Sequence, residues 1–233
     1  MAARSRFLPV LLAAALAATL AACSESLEEV TARHRPQVDA VFGRLRALSR
    51  PAAETAIVTT DAFALDGATV RLDGDASNAL FIFARDLAAP ENATDEGIGG
   101  THVSTAVYCG EVMRGEFYGS PKGADVILQE CARSEYALVL RTNEEQPALV
   151  QGTDSFTPGL YDGDVLLYRL ADGALLGGFH VQAESSDEVQ VMVDASGVPI
   201  DPTERLNSDL SSHVYSVIDA KLRDQVPGVL DPR

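Results

Sequence analysis

Between Leu27 and Leu48 the apolar residues fall three and four apart. Leu27, Val30, Val38, Val41, Leu45 and Leu48, with His34 among them, lie on one face of a helix covering residues 24–49. Pro36 interrupts the pattern and either kinks this helix or begins a new one with Pro36 in its first turn. Arg50-Pro51 ends it. Ahead of this segment, Phe7 to Leu20 contain no charge at all. A helix of that length spans only about 21 Å, shorter than the roughly 20 apolar residues that a bilayer core requires.

Further along, the period changes from helical to extended. Ala68–Leu72 is a short candidate strand in an otherwise irregular stretch, and Ala79–Phe83 is a stronger one. Residues 87–103 are rich in Ala, Pro, Asn, Asp and Gly and read as a surface loop. Val103–Phe117 fits helix and strand equally. Pro121–Arg133 is helical, with Ala124, Ile127, Leu128 and Cys131 on one side. Tyr136–Leu140 and Val165–Leu170 are continuous apolar runs of the kind found in central strands. Asp172-Gly173 then precedes alternating Leu175, Gly177, Phe179 and Val181, a hairpin signal because Gly accepts the positive φ of a tight turn. Val189, Val191 and Val193 predict one more strand.

Asp201-Pro202-Thr203-Glu204 supplies an N-cap, a first-turn Pro and a capping Glu. The helix that follows carries Leu206, Leu210, Val214, Val217 and Ile218 on one stripe, and Pro227-Gly228 stops it. The pattern predicts an α+β fold: an antiparallel meander over about 136–193, with the N- and C-terminal helices packed on one face. No linker or repeat divides it, so residues 23–233 form one domain.

The N-terminus adds a location. Arg4 and Arg6 precede the uncharged run, and Leu20-Ala21-Ala22-Cys23 follows it. This segment resembles the signal peptide and lipobox of bacterial lipoproteins. The resemblance implies cleavage after Ala22, lipid on Cys23, and anchoring to a membrane without a spanning helix. Ser24 after the modified cysteine implies export to the outer membrane, where the organism has one.

Charge then narrows the partners. Loss of residues 1–22 removes two arginines and no acids, leaving 16 basic against 34 acidic residues, a net charge of −18. Nucleic-acid binding, which depends on neutralised phosphates, is excluded. The expected partners are the bilayer, through acylated Cys23, and a protein of the envelope. The two remaining cysteines, Cys109 and Cys131, read as a disulfide in an oxidising compartment.

Candidate chemistry is sparse. His34, His102, His180 and His213 form no zinc-type spacing, and no nucleophile motif is present. His102 beside Gly97-Ile98-Gly99-Gly100 is in a loop setting, and His180 lies opposite Phe179 on its strand. Asp73-Gly74-Asp75 and Asp162-Gly163-Asp164 read as turns at strand edges rather than calcium loops. No cofactor or metal site is expected. The function these features suggest is a binding or structural module of the envelope. The alternative is a hydrolase assembled from residues distant in sequence. The lipobox predicts that Cys23→Ser leaves an uncleaved precursor without radioactive palmitate, while the wild type is labelled; equal labelling of the two would contradict it.

Overall fold

The computed structural model describes residues 25–72, 77–94, 105–151, 155–188, 203–226 and 228–229. Leu20–Cys23, Asp73-Gly74-Asp75, Gly97–Gly100, His102 and the strand expected at Val189–Val193 lie outside the described residues. Helix α1 spans Leu27–Ala47 and opens on a capping box. The Ser26 hydroxyl accepts from Glu29 N–H at 3.2 Å, and the Glu29 carboxylate accepts from Ser26 N–H at 2.8 Å. Pro36 sits inside this single helix on its exposed side, where the carbonyl that loses its partner can reach water. A short helix α2, Ser49–Glu54, follows with Pro51 in its first turn.

The chain continues through β1 (Ala62–Phe63), β2 (Ala79–Phe83), α3 (Thr105–Arg114), α4 (Pro121–Ala132) and β3 (Tyr136–Gln146). A two-stranded excursion, β4 (Leu149–Val150) and β5 (Phe156–Thr157), leads to β6 (Leu160–Arg169), β7 (Ala174–Glu184) and α5 (Thr203–Gln225). The segment that fitted both states is thus helix α3. Ala68–Leu72 is not a strand; Leu72 N–H donates to the Val229 carbonyl, and the Asn78 side chain accepts from Arg71 N–H and donates to the Thr69 carbonyl. No described helix is long and apolar enough to cross a membrane.

The simple meander is wrong. The main sheet has the order β1-β7-β6-β3-β2, and β2 pairs with β3 in parallel, Ala79 opposite Tyr136 through Phe83 opposite Leu140. The reason is the connection. Parallel strands need a long crossover, and the α3–α4 pair returns the chain to the end where β2 began. Within the main sheet β3, β6 and β7 run as antiparallel neighbours, and β1 joins β7 antiparallel at the edge.

Helices also cover both faces instead of one. Phe81, Leu138, Leu140, Val165, Leu167, Phe179 and Val181 pack under Leu210, Val214, Ile218 and Leu222 of α5. Leu80, Ile82, Ala137, Val139, Leu166 and Tyr168 face the opposite way, against Val38, Phe42 and Leu45 of α1 and the α3–α4 pair. β6 is the middle strand, which accounts for its uninterrupted apolar run. The β6–β7 hairpin turns through residues 170–173, with Gly173 at φ +70°.

Phe179 and Val181 meet the α5 core as the alternation predicts, but Leu175 does not share their face. It is exposed, and Leu176 is buried in its place. The register shifts between Leu167/Tyr168, so one extra residue of β7 bulges out and reverses the alternation. Gly177 at this point has φ +143°, and a Cβ there would lie 2.1 Å from the Ala62 carbonyl oxygen. The close neighbour that demands glycine is strand β1.

Cys109 and Cys131 form the expected disulfide, with a Cα–Cα separation of 6.4 Å, and join α3 to α4 in the interior. Alkylation of the unreduced protein should find neither thiol free, and replacing either cysteine should cost roughly 2–5 kcal/mol in denaturant unfolding. Phe179, fully buried beside Phe63, gives a second test. Phe179→Ala should destabilise by about 3–5 kcal/mol, and melting like wild type would remove this residue from the core.

Candidate functional site

The face of β6 that meets α1 changes character along its length. Leu166 and Tyr168 are apolar, whereas Asp164 and Asp162 continue the same two-residue alternation. Register brings matching polar residues alongside. Arg141 and Glu144 of β3 lie opposite Asp164 and Asp162, and His180 and Gln182 of β7 lie opposite the same two. A shift between Thr142 and Glu144 bulges β3, and Asn143 reaches both aspartates, at 3.1 Å from Asp162 and 3.2 Å from Asp164.

Asp164 is fully buried and its carboxylate accepts from four groups. Val58 N–H (3.3 Å) and His180 Nδ1 (3.1 Å) meet Oδ1; Arg141 Nη2 (2.5 Å) and Asn143 Nδ2 meet Oδ2. Arg141 in turn donates to the carbonyls of Ala52 (2.9 Å), Thr55 (2.5 Å) and Ala56 (3.2 Å). Its Nε is buried and has no hydrogen-bond partner among the described residues. A Cβ at Gly163 would sit 2.6 Å from the Arg141 carbonyl oxygen and from Tyr161 Oη, so glycine between the aspartates is a packing requirement.

His180 carries the network outward. Its Nε2 lies 3.2 Å from Asp162, so both ring nitrogens face carboxylates. Its backbone N–H donates to Asp61 at 3.2 Å, and Asp61 pairs with Lys221 of α5 at 2.7 Å. Burial pushes the Asp61 carboxyl up, but the Lys221 ammonium and the His180 N–H outweigh it and hold it below the usual range. The Asp162 carboxyl is also held below that range, chiefly by the Gln182 amide, with Asn143 and His180 adding to it. Burial pushes the Tyr161 phenol up.

Beyond His180 the face opens into a cavity of about 430 Å³, lined by Glu144, Leu160, Asp162, Gln182 and Glu184, with Tyr161 and Ala183 below. Its charge is carried by three carboxylates, and Leu160 is the exposed apolar surface within it. Such a lining suits a cationic group on an apolar stem. Among the described residues no group of three or more His, Cys, Asp or Glu is placed to hold a metal ion.

The other residues singled out in the sequence lie elsewhere. His34 Nε2 is 2.7 Å from Asp125 and ties α1 to α4. His213 Nδ1 lies 2.5 Å from the Glu184 carbonyl oxygen, while its Nε2 is 3.9 Å from Asp209, beyond hydrogen-bonding reach. Asp209 accepts from Ser186 N–H at 2.6 Å, so this Ser–His–Asp neighbourhood fastens α5 to the end of β7. Asp162-Gly163-Asp164 is not a turn but the middle of a strand. Arg141, Asn143, Glu144 and Gln182 were missed; the available signal was the two-residue spacing of Asp162 and Asp164 running directly into an apolar strand.

Asp164→Ala leaves Arg141 buried against nothing but carbonyls. It should cost about 3–5 kcal/mol in denaturant unfolding, the usual penalty for removing one partner of a buried pair. A loss below 1 kcal/mol would mean that the network carries little of the fold. Comparison with known proteins found no matching family model, curated protein or solved structure.

Proposed function

We propose that this chain is a lipid-anchored protein of the bacterial envelope that binds a cationic group of a partner at the cavity bounded by Glu144, Asp162 and Glu184. The observation that carries the reading is the engagement of His180. Both of its nitrogens lie on carboxylates, and one of these, Asp162, lines the cavity. Arg141 is committed to Asp164 and three carbonyls. These groups fix the wall of the cavity in place, and preorganised walls favour binding. The ligand class follows from the lining: an ammonium or guanidinium on an apolar stem, as in a basic peptide or polyamine.

The test is calorimetric titration of the mature protein in detergent with spermine and with an arginine-rich peptide. Binding should weaken with added salt. Asp162→Asn with Glu184→Gln should weaken it roughly tenfold, about 1.4 kcal/mol. Because the Asp162 carboxyl is depressed, it keeps its charge down to the low end of the carboxylate range. Its contribution to binding therefore persists through the ordinary carboxylate range and is lost only as pH falls below it. No binding of either probe, or turnover of ester, peptide or glycan substrates, would overturn the reading.

A further inference from the structure

Strand β7 is paired along its whole length on one side and only briefly on the other. The β6 ladder runs from Ala174 to Glu184, whereas β1 covers Gly177 and Gly178, with Ala64 N–H reaching the Leu176 carbonyl. Three bonds show which backbone groups face outward beyond that point. His180 N–H donates to Asp61 at 3.2 Å, and the Glu184 carbonyl accepts from His213 Nδ1 at 2.5 Å, both outside the sheet. Ser185 N–H instead turns inward, to the Gly159 carbonyl at 2.9 Å. Adjacent residues of a strand direct their backbone groups to opposite sides. Residues 180, 182 and 184 therefore point away from the sheet, and 181 and 183 serve β6.

Side chains close both ends of this stretch and leave its middle open. Asp61, itself held by Lys221, stands where a strand carbonyl would accept, and His213 stands where a strand N–H would donate. Lys221 and His213 belong to α5 and lie about 12 Å apart along it at roughly 1.5 Å per residue. His180 and Glu184 are about 13 Å apart at roughly 3.3 Å per residue. Helix α5 thus runs beside the edge, with half-buried Val217 midway between its two contacts. Between those contacts the His180 carbonyl, the Gln182 N–H and carbonyl, and the Glu184 N–H have no partner among the described residues.

This gap borders the cavity. Gln182 and Glu184 line it, and Asp162 lies directly across from Gln182 on β6. A strand laid along the gap would turn one alternate set of side chains to that face and the other to the α5 side. The first set meets the carboxylates of Glu184, Asp162 and Glu144, which select basic residues. The second set faces the side on which Val217 lies.

We infer that the partner's cationic group arrives on an extended segment, basic at every second residue, that adds as a short strand to the outer edge of β7 opposite Gln182. This rests on the cavity reading above and adds backbone pairing to it. β1 at one end and His213 at the other limit the pairing to about four residues at roughly 3.3 Å each.

Two capped peptides of alternating Arg and Thr test this, one N-methylated at every Arg and the other at every Thr. They are titrated calorimetrically into the mature protein in detergent, beside the unmethylated parent and spermine. A strand offers its neighbour the N–H groups of one alternate set only. One methylated peptide should therefore bind about tenfold more weakly than the parent, and the other within about twofold of it. Loss on the Arg set means a strand antiparallel to β7, and loss on the Thr set a parallel one. Spermine has no peptide backbone and reports the cavity alone. Gln182 N–H should exchange rapidly with deuterium in the free protein and become protected by the parent peptide. Equal affinities of the two methylated peptides, or a Gln182 N–H already protected in the free protein, would overturn the inference and leave the cavity reading intact where spermine binds. Failure of both spermine and the parent peptide to bind would overturn the cavity reading and this inference with it.

Discussion

A carboxylate with no exposed surface sits in the middle strand of the sheet, and much of the architecture answers to it. Burying an unpaired ion costs several kcal/mol even after relaxation, so Asp164 has to be met by donors on every side. Those donors come from β3, from β7 and from the segment after α2. A one-residue slip of β3 against β6 would turn Arg141 to the α5 face and leave the charge bare. The bulge at Asn143 adds an amide that a regular strand would not deliver there. Register, bulge and the path of residues 52–58 are thus consequences of one buried charge.

The same charge divides the sheet. On the α5 face Phe81, Leu138, Leu140, Val165, Leu167, Phe179 and Val181 are apolar, and a single helix covers them. On the other face the apolar part ends at Leu166. A helix stripe laid over Asp164, His180 and Asp162 would bury polar groups without partners. Backbone groups of residues 52–58 meet Arg141 and Asp164 instead, and the remainder of the face stays open as the cavity. The open site is what remains when a sheet face becomes too polar for a helix to cover.

The elements were more legible than their arrangement. Helical periodicity marked α1, α4 and α5, two-residue alternation marked β7, and unbroken apolar runs marked β2, β3 and β6, because burial writes itself into local sequence. The pairing of β2 with β3 was not written there. Five apolar residues at Ala79–Phe83 are compatible with either direction, and direction is decided by the α3–α4 crossover. One member of that crossover, residues 103–117, fitted both helix and strand by pattern. Leu175 was misplaced for a similar reason. The β7 bulge depends on β1 lying against Gly177, and two residues of β1 leave almost no periodic trace.

The two Asp-Gly pairs show why the site was harder to read than the fold. Asp172 sits in a real turn, and its carboxylate is satisfied locally, by Ala174 N–H at 3.1 Å and by Arg169 three residues back. Turn propensity describes that kind of local satisfaction. Asp162 and Asp164 have the same neighbour, Gly163, but their partners are Asn143, Arg141 and His180, sixteen or more residues away. Nothing beside them in sequence says so. What distinguishes them is the strand continuing through them: Tyr161, Val165 and Leu167 keep the alternation on the α5 face on both sides of Gly163. A turn would have broken that alternation. An acidic pair spaced by two inside an unbroken apolar alternation is therefore a pair aimed at one face of a sheet, and a carboxylate placed there must find its donors across the strands.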